Sequence, residues 1–199
     1  MPRTPKQFEE IREKSKSKIM EHSLRLFAEK GYHGTSISDI AKAAGVSKGL
    51  AYNYFESKQE LVESIFHQLL EIGYQYEELM QQVDDPCERL QKMIEYTFDY
   101  MEENEEFWRL YVSFALQPVI MDTAKNVTKE FSDRMIKMIT GLFKKIGIPK
   151  PKAEAYILAG LIDGISLEYF FDKENYPLRS VKKSVLEKYN KESLKRQMK

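Results

Sequence analysis

The chain has 199 residues, 42 % hydrophobic and 31 % charged, which is ordinary for a folded globular protein with room for one core or two small ones. Its 31 basic and 31 acidic residues cancel, which excludes a global pull toward nucleic acid; residues 1–60 carry 11 Lys and Arg against 8 Asp and Glu, the remainder 20 against 23. The single cysteine, Cys87, excludes an intrachain disulfide, no apolar run approaches a membrane span, and MPRTPKQFEEIREKSKSK lacks the apolar core of a signal peptide, so the expected home is the reducing cytoplasm.

The N-terminal arm is basic and polar, with Arg3, Lys6, Arg12, Lys14, Lys16 and Lys18. Such an arm can lie along a DNA backbone or minor groove but is more often simply solvated. From about Phe8 to Lys30, the residues Phe8, Ile11, Ile19, Met20, Leu24 and Phe27 fit one helical face, and Gly31 suits its C-terminal end. The hydroxyl of Ser23, on the inner side, can bond the carbonyl one turn back.

Residues 35–55, TSISDIAKAAGVSKGLAYNYF, read as a helix-turn-helix. Ser36 caps a short helix with Asp39 three residues on, a near relative of the capping box, and Ile37, Ile40, Ala41 and Ala44 recur at helical spacing. Gly45 tolerates positive φ at the end of that helix, Val46 plugs the turn, and Ser47 caps a second helix toward Phe55. The outer face of the second helix carries Ser47, Lys48, Gly49, Tyr52, Asn53 and Tyr54, donors and flat rings suited to a phosphate-lined groove. Lys48 toward guanine, Asn53 toward adenine and Leu50 against a thymine methyl are the candidate base readers.

Taken with its flanks, residues 18–62 resemble the DNA-binding domain of the TetR (tetracycline repressor) family. The resemblance rests on Leu26-Phe27-Ala28-Glu29-Lys30-Gly31-Tyr32, Asp39-Ile40-Ala41, Ala44-Gly45-Val46-Ser47, Tyr52-x-Tyr54-Phe55 and Ser57-Lys58-x-x-Leu61. It implies an all-α homodimer: a three-helix, helix-turn-helix DNA-binding domain at residues 1–56, and a helical ligand-binding and dimerisation domain at residues 57–199. The positions matching DNA contacts in that family are Thr35, Ser36, Ser47, Lys48, Gly49, Tyr52, Asn53, Tyr54 and Lys58. One departure is Leu50 followed by Ala51, where the family usually has a polar or small residue and then a large apolar one.

After Phe55, Ser57 and Glu60 form a second capping signal that opens a long helix through Leu61, Val62, Ile65, Phe66, Leu69, Leu70 and Ile72 toward Leu79. Asp84, Asp85 and Pro86 mark a break and a new start. The next helix is predicted to end near Glu102, and another begins at Asn104 and stops before Pro118. Met93, Tyr96, Tyr100, Phe107, Trp108, Tyr111 and Phe114 can line a pocket for a small apolar or aromatic effector, although such aromatic stripes are more often core.

A further helix is predicted from about Thr128 to Ile146. The segment from Ala153 to Phe171 is apolar around most of its circumference and rich in small residues, which predicts a symmetric interface between two copies. Ala155, Ala159, Gly160, Asp163, Gly164 and Leu167, with Val181 and Val185 of a last helix from about Pro177 to Tyr189, are assigned to it. Asp163 is expected to pair across that interface, because a buried carboxylate needs a partner. Lys191, Lys195, Arg196 and Lys199 are expected to be solvated.

No enzymatic constellation is present: no Gly-rich phosphate loop, no Gly-x-Ser-x-Gly, and no paired metal-ligand spacing among His22, His33, His67 and Cys87, so no cofactor is expected. The expected function is a transcriptional regulator, a ligand-responsive repressor on a palindromic DNA operator. The alternative is a protein of the same fold acting without a ligand, in DNA organisation or through a protein partner.

Overall fold

A computed structural model of the chain describes residues 4–197; Arg3 and Lys199 lie outside the described residues. Among these residues there are ten helices and no strand, in agreement with the all-α expectation. The chain divides into two units, one of residues up to Leu70 together with Leu110–Thr128, the other of Glu71–Arg109 together with the chain from Lys129 onward.

The first helix, α1, spans Pro5–Lys30 and starts three residues before the predicted one. Thr4 and Gln7 form its capping box: the Thr4 hydroxyl accepts from Gln7 N–H at 3.3 Å and Gln7 Oε1 accepts from Thr4 N–H at 2.9 Å, with Pro5 at the first position. Ile19, Leu24 and Phe27 are buried. Phe8 and Ile11 are 58 % and 41 % exposed, so the apolar face reaches the core only in the second half of the helix. Ser23 is fully buried and donates to Ile19 C=O at 2.6 Å, which removes the cost of its hydroxyl.

Helix α2 (Ile37–Ala44) packs on α1 and α3 (Lys48–Tyr54) packs on α2, with Ile37, Ile40, Ala41, Ala44 and Ala51 buried. Helix α4, Lys58–Gln81, begins in this unit, where Leu61, Val62, Ile65 and Phe66 are buried. The end of α6 (Glu105–Ala115) and the start of α7 (Pro118–Ile146) complete the same core. Phe114 is fully buried, stacked on Phe27 at 5.6 Å and on Phe66 at 5.5 Å between ring centroids, and Tyr111 meets Phe66 edge-on. Helix α7 starts ten residues before the predicted Thr128. Pro118, read from sequence as a stop, instead occupies the first helical turn, where its missing N–H costs nothing.

In the second unit, α5 spans Pro86–Glu103 and is capped by Asp85, whose carboxylate accepts from the N–H of Cys87 and of Glu88, both at 2.9 Å. Leu90, Met93, Ile94, Phe98 and Met101 of α5 share a core with Tyr76 and Met80 of α4, Leu142 and Phe143 of α7, and Ala155, Leu158, Ile165 and Tyr169 of α8 (Pro151–Phe171). The last predicted helix is α9, which spans Leu178–Lys188, and a further helix beyond it, α10, spans Lys191–Gln197. The break follows from Asn190, whose side chain accepts from Ser193 N–H at 2.8 Å and starts a new helix.

Candidate nucleic-acid interface

The helix-turn-helix is fixed by backbone capping at each joint. Ser36 Oγ accepts from Asp39 N–H at 3.1 Å, and the Asp39 carboxylate accepts from the N–H of Ser36 at 3.0 Å and from its hydroxyl at 2.5 Å. These bonds, with Lys30 and Lys42 nearby, hold the Asp39 carboxyl below its usual range. Gly45 ends α2 at φ +68°, ψ +29°. Its N–H donates to Lys42 C=O and that of Val46 to Ala41 C=O, a Schellman closure with Val46 half-buried as its apolar contact. Ser47 caps α3 by accepting from Leu50 N–H at 3.1 Å.

One residue of α3, Ala51, is buried, and this sets which side chains face outward. Lys48, Gly49, Tyr52 and Asn53 are exposed, Leu50 and Tyr54 half-exposed. The Lys48 ammonium lies 5.8 Å from the Tyr52 ring centroid, and the Arg12 guanidinium of α1 lies 6.0 Å from that of Tyr54. A Cβ at Gly49 would meet nothing within 4 Å, so no internal packing requires a glycine there. Beside α3, a groove of about 520 Å³ is lined by the loop from Tyr32 to Ser36, by Tyr52, and by Ser57 and Lys58 at the start of α4.

Two residues matched to DNA contacts are engaged inside the chain. Thr35 is buried, and its hydroxyl, hydrogen-bonded to Leu26 C=O at 3.1 Å and Gly31 C=O at 2.9 Å, closes the end of α1 instead of facing solvent. The Lys58 ammonium donates to Tyr32 C=O at 2.8 Å and Thr35 C=O at 2.9 Å, which leaves one of its three N–H groups. The second capping signal is also shared differently: Ser57 accepts from Glu60 N–H at 3.1 Å, while the Glu60 carboxylate reaches back to Glu56 N–H at 2.6 Å.

The residues assigned to an effector pocket fall in both units. Phe114 and Tyr111 belong to the first, where burial raises the Tyr111 hydroxyl to about 12. In the second, Tyr96 stacks on Tyr100 at 5.8 Å, Tyr100 meets Trp108 edge-on at 6.1 Å, Phe107 meets Trp108 at 5.8 Å, and Met93 is buried. The residue missed from sequence is Tyr76 of α4, stacked on Tyr96 at 4.3 Å. Its buried hydroxyl has no hydrogen-bond partner among the described residues, and burial together with Tyr96 raises its pKa far above the ordinary value. Its position seven residues after Leu69, on the apolar face of α4, was the available signal.

Of the residues assigned to an interface between copies, Ala155 and Val185 sit in the core of the second unit and so cannot lie on an outer face. Ala159 and Val181 are half-buried. Gly160, Asp163, Gly164 and Leu167 are exposed along one side of α8, with Tyr156, Ile157 and Phe171, at intervals of three and four that keep them on one stripe. Asp163 has no ion-pair partner among the described residues, and partial desolvation by the surrounding chain holds its carboxyl above the usual range. Among the described residues no helix is long and apolar enough to cross a membrane.

Residues 19–65 match the family model of bacterial regulatory proteins of the tetR family, and residues 86–189 match that of the C-terminal part of BetI-type transcriptional repressors. An uncharacterized HTH-type transcriptional regulator of Bacillus subtilis, YuxN, is 29 % identical over 171 residues, 80 % of this chain and 54 % of YuxN. The chain therefore spans about half the length of that relative. The HTH-type transcriptional regulator BetI of Yersinia pestis is 27 % identical over 166 residues, 81 % of this chain and 83 % of BetI. In fold the chain is similar to the transcriptional regulator FadR of Bacillus subtilis, solved in complex with stearoyl-CoA, with a TM-score of 0.72, 22 % identity, and coverage of 87 % of this chain and 96 % of FadR.

Proposed function

The chain belongs to the tetR family of bacterial regulatory proteins and is a DNA-binding transcriptional regulator; on that premise we propose that it is a repressor that holds a palindromic operator as a homodimer and releases it when a small molecule occupies its C-terminal domain. The observation that carries the DNA face is α3 itself, on which only Ala51 is buried and Gly49 is free of every internal demand. A glycine at such a point lets a phosphate or base pair approach the backbone. In this reading Lys48 grips a phosphate, Tyr52 and Tyr54 donate to the sugar-phosphate backbone, and Asn53 reads a base edge with Leu50 against a thymine methyl. Ser36 and Ser47 bring helix N-termini to the phosphates. Lys58 contributes its one remaining N–H, and Thr35 acts by holding the loop.

Recognition is assigned to residues 1–56, and effector binding and dimerisation to residues 57–199, although Leu110–Thr128 of the latter packs into the recognition unit. The exposed stripe of α8 supports pairing of two copies. Tyr76, Tyr96, Tyr100 and Trp108, with Met93, support a small apolar or aromatic effector, and the likeness in fold to a regulator holding stearoyl-CoA favours an apolar chain. The repressor works in the cytoplasm, beside its operator.

Footprinting on DNA flanking its own gene, at near-physiological salt with excess competitor DNA, tests the reading. A protected palindrome with half-sites about one helical turn or a multiple apart is the expected result. Uniform, salt-fragile binding leaves only the non-specific electrostatic term and favours a role in DNA organisation or with a protein partner.

A further inference from the structure

Gln117 lies between α6 and α7, 85 residues from Tyr32 in sequence, yet its carboxamide closes on the end of α1 from both sides. Nε2 donates to Phe27 C=O at 2.6 Å, and Oε1 accepts from Tyr32 N–H at 3.0 Å. The two backbone groups flank Gly31, whose positive φ of 77° ends α1 and starts the loop to α2. Tyr32 N–H lies past the last helical acceptor, and Gln117 satisfies it.

The loop is tied at its other side by Lys58, bonded to the carbonyls of Tyr32 and Thr35 immediately before the Ser36 cap of α2. Phe114 anchors the turn that carries Gln117 between Phe27 and Phe66, and Gln59 Nε2 donates to Thr123 Oγ1 at 3.0 Å beyond it.

We propose that Gln117 is a positioning residue for DNA binding, setting the α1–α2 loop, and with it the start of α2, from the α6–α7 turn. Stacked rings tolerate sliding, whereas a hydrogen bond weakens steeply with distance and angle, so a small shift of α6 or α7 breaks the Gln117 bonds before it disturbs the aromatic core. The inference rests on reading this unit as the DNA-binding one.

The test uses full-length Gln117→Met, which keeps the length of the side chain and removes both hydrogen bonds, beside Phe143→Leu, a core substitution in the other unit that lowers stability without touching the loop. The DNA probe is the duplex that the wild-type protein selects from a random-sequence pool. Gln117→Met is expected to weaken binding about tenfold and to raise hydrogen exchange at the Tyr32 amide, while Phe143→Leu leaves both near wild type. Unchanged binding and unchanged Tyr32 exchange in Gln117→Met overturn the proposal, as does an equal loss of binding in Phe143→Leu. Should Gln117→Met fail to fold, Gln117→Glu, which keeps the acceptor and loses the donor, is read in the same way. Selection of no sequence by the wild-type protein sinks the DNA-binding reading instead, and Tyr32 exchange then still decides whether Gln117 holds the loop.

Discussion

Lys58 grips Tyr32 in two ways, donating to its carbonyl at 2.8 Å and lying 4.4 Å from the centroid of its ring. A lysine that the family resemblance matches to a DNA contact is thereby part of the scaffold that presents the interface. Lys58→Met is expected to lower unfolding stability by about 1–2 kcal/mol, the order of a charge-assisted hydrogen bond at a half-exposed site, measured by urea denaturation. An unchanged urea midpoint together with weakened DNA binding would return the residue to a purely DNA-contacting role.

Phe114 makes a sharper case because it is fully buried between two rings. Phe114→Ala is expected to cost about 3–5 kcal/mol, from lost transfer energy and the cavity left behind. The loss should appear in hydrogen exchange of α1 and α4 near Phe27 and Phe66. Loss confined to residues 129–197 would contradict the packing described.

On the outer face of α3 the effects should divide by role. Lys48→Ala is expected to weaken binding to all sequences alike and to reduce the salt slope by about one, Asn53→Ala to relax preference at one base position, and Gly49→Ala to weaken binding while leaving the melting temperature at or above wild type. Anisotropy titrations across salt concentrations and single-base variants separate the three. Unaltered binding by Gly49→Ala would remove the close approach proposed there.

Added Cβ atoms at Gly160 and Gly164 would touch nothing within the chain. Gly160→Arg should therefore stabilise α8 by up to about 1 kcal/mol through helix propensity, yet dissociate the proposed dimer. Light scattering beside a thermal melt reads both effects. A dimer that survives the substitution places the interface elsewhere.

Asp163 sits on the same stripe with the pKa of its carboxyl raised by partial desolvation. The folded chain therefore keeps that proton to a higher pH than the unfolded chain, and the group destabilises the fold as pH rises from the unfolded value through the folded one. A second copy packed on the stripe would raise the folded value further. Asp163→Asn is thus expected to strengthen the dimer at neutral pH and to match wild type below about pH 3, where both states are protonated. Sedimentation equilibrium at two pH values reads this, and a weaker dimer at neutral pH would reveal a cationic partner across the interface.

The helix-turn-helix was legible because its determinants are local. Ser36 with Asp39, Gly45 with Val46, and Ser47 each act within five residues, so their spacing in sequence is their geometry. Gln117 was illegible because its partners lie 85 and 90 residues away and a lone glutamine after a helix carries no pattern. Pro118 has two local meanings, a stop for one helix and a first-turn residue for the next, and only packing chooses between them. The aromatic stretch from Tyr96 to Phe114 reads as one apolar face, but the division between Arg109 and Leu110 separates Tyr111 and Phe114 from the rest. Thr35 and Lys58 fit their matched positions by type, while their hydroxyl and ammonium are taken up by loop carbonyls that no sequence pattern reveals.

The recognition unit draws on two stretches of chain separated by Glu71–Arg109, and this bears on how the protein is made. During synthesis, residues up to Leu70 leave the ribosome well before Phe114 and Gln117 are available to cover Phe27 and Phe66. At about 5–20 residues per second the N-terminal helices wait some seconds for their last packing partners. Through that interval a nascent chain already carries the whole helix-turn-helix sequence without the Phe114 and Gln117 contacts that complete its core.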